Sequence, residues 1–363
     1  MPILSENINT WVFPTTRYQG SKRKLLRWIY ENIKKIEFES AIDIFGGSGS
    51  VSYLLKKMGK SVTFNDYLKF NYYKGKAIIE NERTYLTSDD IDFLINQKDY
   101  PNKKFIQGTF NGIYFTDNEN RWIDSVIGNI SDLGKKYQST ELEYKRALAY
   151  YALFESCLVK RPFNLFHRSN LNLRINDVPR NFGNKVTWEK PFDLCFKQFA
   201  DEANRLVFSN EKRNMAINKD ALSINNVNYD LVYIDPPYFF QDRCNSECDY
   251  RRMYHFLEGL TNYDNWGELI DYTSKNLHLR NNGNKWLEKT KVVQNFEELI
   301  NKFKNSTIVI SYKSPGIPSE YEITSILKKY KKNVRVEKAE YIYALNKSNG
   351  KAGENIELLI IGT

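Results

Sequence analysis

The stretch that most constrains this chain is Asn228-Tyr229-Asp230-Leu231-Val232-Tyr233-Ile234-Asp235-Pro236-Pro237-Tyr238-Phe239-Phe240. Leu231 to Ile234 is short, apolar and rich in β-formers, which reads as a strand buried on both faces. An acid, two prolines and a run of aromatics then arrive together where that strand must end. Proline holds φ near about −65° and cannot continue a central strand, so the segment after Asp235 is a stiff loop. Open α/β sheets place their ligand sites at the carboxyl ends of parallel strands. Asp235 therefore stands at the edge of a site, beside the ring of Tyr238. Its carboxylate and the carbonyl of Pro236 can both accept hydrogen bonds from an amino group, and a tyrosine face can stack on a planar ring. The set suits holding the exocyclic amine of a flat heterocycle. The plainer reading is a Pro-Pro turn that merely closes a strand.

Further features upstream favour a site. Ala41-Ile42-Asp43-Ile44-Phe45 reads as a second buried strand, and Gly46-Gly47-Ser48-Gly49-Ser50 as the turn opening a helix through Leu55 and Met58. Glycines there let the backbone approach a bound molecule closely. Such turns also serve nucleotides and phosphates, but no Gly-Lys-Ser/Thr follows, which argues against a triphosphate loop. The next strand, Ser61 to Asn65, ends in Asp66, roughly 20 residues past the glycines, where an acid can hold both hydroxyls of a ribose. Earlier still, Arg17-Tyr18-Gln19-Gly20-Ser21-Lys22-Arg23-Lys24 precedes an amphipathic helix with Leu25, Leu26, Ile29 and Ile33, for which Ser21 is a plausible N-cap.

From about residue 72 to 209 the strand–helix alternation stops. A strong helix is expected from Glu141 to about Leu158. The segment that follows interleaves cations, amides and aromatics: Arg161, Asn164, His167, Arg168, Asn170 and Arg174. Arginine neutralises phosphates and reads guanine edges, and asparagine reads adenine edges. These six are candidate DNA contacts, the competing reading being a solvated surface segment. Asn214 to Asn218 restores the sheet pattern. A helix is expected near 262–275, a surface excursion over 278–290, a strand at 306–312, and a closing pair of strands at 334–345 and 356–361.

Asp-Pro-Pro-Tyr after an apolar strand resembles the catalytic motif of the amino-group DNA methyltransferases, and its leading acid is similar to the adenine-N6 branch. The pattern Asp43, Phe45, Gly47, Gly49 resembles their cofactor motif, and Tyr-Gln-Gly-Ser-Lys their N-terminal motif. The motif order resembles the α arrangement of the D12 class, the Dam-like enzymes. The resemblance implies an α/β fold with a doubly wound, mostly parallel seven-stranded sheet, Rossmann-like, carrying an inserted DNA-recognition domain. The corresponding divisions are 1–71 and 210–363 for the catalytic domain and 72–209 for the insertion. It implies S-adenosylmethionine as cofactor, bound by Tyr18, Lys22, Asp43, Phe45, Gly47, Gly49, Asp66, Asp220 and Asp235. Asp235, Pro236 and Tyr238 would be catalytic, on an adenine flipped out of double-stranded DNA. A cognate restriction endonuclease is an expected partner. An RNA adenine methyltransferase and a non-catalytic binding module on the same fold are the alternatives, and intact Asp-Pro-Pro-Tyr argues against the second.

Composition sets outer limits. In 363 residues, 53 Lys and Arg against 44 Asp and Glu give a net charge of +9, which suits a polyanionic partner without requiring one. Four cysteines in so long a chain do not make a disulfide framework. Cys244 and Cys248 lack a second Cys/His pair at ligand spacing, so no metal is expected. No signal peptide or bilayer-length apolar run is read, and a cytoplasmic protein is the expectation.

Overall fold

Residues 231–234 alternate between two cores, and that alternation sets the architecture. Leu231 and Tyr233 join one apolar cluster, Val232 and Ile234 the other, and all four are buried. In the computed structural model, which describes residues 8–15, 17–166, 173–176, 184–225, 228–237, 239, 249–281, 283–340 and 356–363, this strand is the centre of a seven-stranded sheet. Strands β1 (Ser40–Asp43), β2 (Ser61–Asn65), β3 (Met215–Ile217), β4 (Leu231–Ile234) and β5 (Thr307–Ser314) run parallel. With β6 (Val334–Glu340) and β7 (Ile356–Gly362) the order is β3-β2-β1-β4-β5-β7-β6, and β7 is antiparallel to both neighbours. The α/β class and the mostly parallel seven-stranded sheet are as the sequence implied.

Helices cover both faces. On the Leu231/Tyr233 face lie α1 (Leu26–Ile33) and α2 (Ser50–Lys57), through Ile29, Ile33, Leu54 and Leu55. Among the described residues between β2 and β3 every regular element is helical. These are α3 (Lys69–Gly75), α4 (Ser88–Ile95), α5 (Phe105–Thr109), α6 (Asp117–Asp132), α7 (Ser139–Val159), α8 (Asn184–Glu189) and α9 (Phe192–Leu206), with short 3-10 and π turns. Threonine capping boxes start α4 at Thr87 and α6 at Thr116. One apolar cluster runs from the sheet through Leu94, Ile127, Leu148 and Phe196, unbroken near residues 71 and 209. The region 72–209 is thus a helical layer packed against this face. The chain then forms α10 (Tyr250–Met253), α11 (His255–Leu260), α12 (Trp266–Leu269), α13 (Val292–Lys302) and α14 (Glu320–Tyr330); α13 and α14 cover the opposite face through Phe296, Leu299, Ile323 and Leu327.

Two expectations need correction. The helix placed near 262–275 is reduced to a short 3-10 turn at Tyr263–Asn265 and the four residues of α12, set apart from α11. Asn262 turns its side-chain amide onto the Glu258 carbonyl at 3.0 Å, and the chain leaves α11 there. The stretch 278–290 is a surface excursion only in part: Arg280, Asn281, Gly283, Lys285, Lys289 and Thr290 are exposed, but Leu279 and Trp286 are buried and Asn284 caps a short turn through Trp286. β6 ends at Glu340, and residues 341–355, which include the end of the expected strand, lie outside the described residues.

Helix packing at α11 is tight enough to test. A Cβ at Gly259 would sit 1.8 Å from the fully buried Trp266 ring, whereas one at Gly108 on α5 meets nothing within 4 Å. Gly259→Ala is expected to destabilise by roughly 1–3 kcal/mol through overpacking. Gly108→Ala should stabilise by roughly 0.5–1 kcal/mol through helix propensity. Urea unfolding measures both, and equal effects would contradict this packing.

Candidate active site

The strand order reverses between β1 and β4, so the loops leaving their carboxyl ends diverge and open a cleft. It encloses about 960 Å³ including its open mouth. Tyr18, Lys22, Asp43, Phe45, Gly47, Asp66, Asp220, Asp235 and Pro236 all line it. Gly49 stands just behind as the left-handed residue (φ 75°) before α2. Tyr238 lies outside the described residues.

The glycine turn is shaped by what glycine alone permits. Gly47 and Gly49 have φ of 50° and 75°, and a Cβ on Gly46 would fall 2.1 Å from the Phe64 ring. Asp66 pins the turn: its carboxylate accepts from the Gly47 N–H and the Leu68 N–H, each at 2.8 Å. Burial pushes Asp66 up to about 6 despite those donors. Asp43 accepts from the Ser52 hydroxyl at 2.7 Å, while its other oxygen is buried without a hydrogen-bond partner among the described residues. Burial pushes its carboxyl up to about 7. Asp220 caps the next turn through the Leu222 N–H at 2.9 Å.

Across the cleft, the Lys22 ammonium lies 2.9 Å from Asp235 Oδ1. Burial raises the Asp235 carboxyl, and Lys22 opposes that rise. Tyr18 is clamped in a stack of three tyrosines, 4.8 Å from Tyr254 and 5.3 Å from Tyr250, with interplanar angles of 11° and 12°. Asn71 donates to its hydroxyl at 3.3 Å.

Several lining residues escaped the sequence reading. Tyr250 and Arg251 close one side, and Trp286 packs edge-on against Phe45 at 4.9 Å on another. A lone tryptophan in a polar run was the available signal for Trp286. Glu357 of β7 has its carboxylate 4.0 Å from Lys22, and no pattern in an apolar edge-region strand marks it.

The candidate DNA contacts separate. Arg161 is buried, its guanidinium 4.6 Å from the Tyr114 ring centre and donating to the carbonyls of Tyr114 (3.2 Å) and Leu165 (3.4 Å). Arg174 is also buried, paired with Glu119 and donating to the Trp188 carbonyl at 2.8 Å. Both guanidiniums face the interior, so the expectation that they meet DNA is corrected. Asn164 is half-buried in a left-handed turn (φ 56°) beside the exposed Phe163. His167, Arg168 and Asn170 lie outside the described residues. Arg161→Ala should cost on the order of 2 kcal/mol or more in urea unfolding, since it strips a buried ring of its partner and orphans carbonyls. A variant of unchanged stability whose DNA binding shows a flatter salt dependence would instead restore the phosphate-contact role.

Among the described residues no His, Cys, Asp or Glu cluster could hold a metal ion, and no helix is long and apolar enough to cross a membrane. Comparison with known proteins bears directly on this cleft. Residues 18–326 match the family of D12 class N6 adenine-specific DNA methyltransferases. Type II methyltransferase M2.HphI of Haemophilus parahaemolyticus is 26% identical over 361 residues, covering 98% of this chain and 99% of that protein. Modification methylase StsI of Streptococcus sanguinis is 27% identical over 94% of this chain, and Type II methyltransferase M.FokI of Planomicrobium okeanokoites 28% over 93%; the chain spans about half of each (51%). The match takes in every cleft residue from Tyr18 to Trp286, and the chain belongs to the D12 class of N6 adenine-specific DNA methyltransferases.

Proposed function

We propose that this adenine DNA methyltransferase takes its methyl group from S-adenosylmethionine and acts on a base turned out of double-stranded DNA, as the modification partner of a restriction endonuclease in the bacterial cytoplasm. The observation that carries the reading is one cleft in which Asp235, at the end of β4, faces the glycine turn after β1 and the acid after β2.

The cleft fits that cofactor. The partnerless oxygen of Asp43 suits a cationic amino group, Asp66 suits paired ribose hydroxyls, and Phe45 with Trp286 offers an apolar wall to a purine whose amine Asp220 can meet. Tyr18 and Lys22 would border the methionine end. Bound there, S-adenosylmethionine would supply an electrophilic methyl on a sulfonium.

The protein's own contribution is to prepare the nucleophile. The adenine amine is conjugated with its ring and weakly nucleophilic. Asp235 and the Pro236 carbonyl would accept its two N–H bonds, favouring a pyramidal nitrogen with a localised lone pair. That interaction strengthens as positive charge develops on nitrogen, so it lowers the barrier more than it tightens binding. The target atom is closed off in a stacked duplex, which supports flipping, with Tyr238 as the proposed stacking surface. Recognition is assigned to the 72–209 region, with Asn164, His167, Arg168 and Asn170 the remaining candidates. The modification role is supported by what the relatives are called: M2.HphI is a Type II methyltransferase and StsI a modification methylase.

Asp235→Ala is expected to abolish methyl incorporation into unmethylated genomic DNA while circular dichroism shows an intact fold. Near-normal turnover by a folded variant would contradict the orienting role. Cofactor affinity should also depend on pH. Asp43 and Asp66, raised by burial to about 7 and about 6, hold protons at low pH that an amino group and ribose hydroxyls must displace. Affinity should therefore weaken steadily as pH falls from 7 to 5. Titration calorimetry across that range would show a flat profile if neither acid meets the cofactor.

A further inference from the structure

Strand β7 contains one residue that packing does not explain. Glu357 is fully buried, while the following Leu358, Leu359, Ile360 and Ile361 fill the two cores. Neither of its carboxylate oxygens makes a hydrogen bond among the described residues. A buried carboxylate without hydrogen bonds is costly, and an apolar residue would stabilise the strand better. Its charged surroundings come from three other elements. Lys22, from the turn before α1, lies 4.0 Å away; Lys313 is its register partner on β5; and Asp235 faces the same ammonium from the end of β4. Burial pushes Glu357 up to about 7, with Asp235 adding to the rise and the two lysines opposing it.

The arrangement has an unequal symmetry. One buried ammonium lies between two carboxylates, in contact with Asp235 at 2.9 Å and out of hydrogen-bond range of Glu357. In the reading of Asp235 given above, on which this inference rests, that carboxylate must turn its lone pairs to the adenine amine. With Lys22 on Oδ1, part of that acceptor is already occupied. Displaced from Asp235, the Lys22 ammonium would keep the Gly20 carbonyl at 3.4 Å, and Glu357, 4.0 Å away, is a second anion within reach of a small side-chain movement that can balance its charge.

We propose that Glu357 is a positioning residue that takes Lys22 over from Asp235 when the target adenine enters, freeing Asp235 to accept from the amine. No covalent bond or proton changes hands in this step. With Glu357 ionised, above about pH 7, one ammonium and two carboxylates are present before and after, and only the contact partner of Lys22 changes. Glu357 touches neither the cofactor nor the base. Its effect reaches the reaction through Lys22.

The experiment uses the full chain with tritiated S-adenosylmethionine and PCR-amplified, hence unmethylated, bacterial genomic DNA. Glu357→Gln and Glu357→Leu are compared with wild type and Asp235→Ala for kcat, for KM of the cofactor and for thermal unfolding. The expected result is a fall in kcat of at least tenfold in both Glu357 variants. KM for S-adenosylmethionine should stay within about threefold, and Glu357→Leu should melt above wild type, a combination that a merely structural role would not give. Wild-type kcat in either folded variant would overturn the proposal, and so would a loss of folding in both. If Asp235→Ala itself remained active, the orienting role of Asp235 would have failed, a result separable from wild-type kcat in the Glu357 variants alone.

Discussion

The parallel pairing of β1 with β4 is the constraint on which the site depends. Ala41 lies opposite Leu231, Ile42 opposite Val232 and Asp43 opposite Tyr233, joining segments about 190 residues apart in the chain. Asp230 locks that register at the strands' entrance: one carboxylate oxygen accepts from the Glu39 N–H, the Ser40 N–H and the Ser40 hydroxyl at 2.8–2.9 Å. A slip of one residue would exchange the two faces of β4, moving Tyr233 and Val232 into each other's cores. It would also carry Asp235 away from Lys22. The cleft is thus a product of strand register, and its loops inherit their positions from a sheet with both faces buried.

That scaffold supports a concentration of acid that folding alone does not favour. Asp43, Asp66, Glu258 and Glu357 are raised to about 7, 6, 7 and 7, in each case chiefly by burial. Between about pH 4 and pH 7 the folded chain holds protons on these groups that the unfolded chain has released. Their contribution to stability therefore falls as pH rises through that window. Asp90 and Glu119 act in the opposite sense: burial would raise them, but hydrogen bonds led by those of Lys145 and Arg174 outweigh it and hold their carboxyls low, so their contribution is lost on acidification. The low acids sit in the helical layer, each paired with a cation, whereas Asp43 and Asp66 line the cleft and have no cation in contact among the described residues.

What could be read from the sequence is what local geometry dictates. The strand ending in Asp235, the glycine turn and the acid of Asp66 each occupy a few consecutive residues whose backbone requirements leave a compositional mark. Side chains whose destination is set by distant partners left none. Arg161 and Arg174 looked like cations for a polyanion, but Tyr114 and Glu119, in or next to other helices, draw them inward. Trp286 sits in a run of Asn, Gly and Lys that reads as solvent-facing, yet Phe45 from the β1 loop provides its contact. Glu357 is separated from Lys22 by 335 positions, and only the sheet order brings them together.

Helix α11, beyond the Asp-Pro-Pro-Tyr segment, ties these parts together. Glu258 accepts from the N–H groups of Lys69 (3.2 Å) and Phe70 (3.1 Å), capping α3 directly after the loop that carries Asp66. Tyr254 just before it stacks on Tyr18, and its hydroxyl accepts from the Gln19 N–H at 2.7 Å. On the other side Phe256 stacks on Phe166 at 4.9 Å and 9°, and the Phe166 N–H donates to the Met253 carbonyl at 3.0 Å. Phe166 belongs to the segment proposed for DNA recognition and is the last described residue before 167–172. Phe166 is thereby joined through aromatic contacts to the helix whose preceding residue stacks on Tyr18, and through Glu258 to the helix cap beside the Asp66 loop. Close-packed rings leave little room for one of these contacts to change alone. Tyr18, Tyr254, Phe256 and Phe166 belong to one packed cluster that also holds the sheet residues Leu231 and Tyr233.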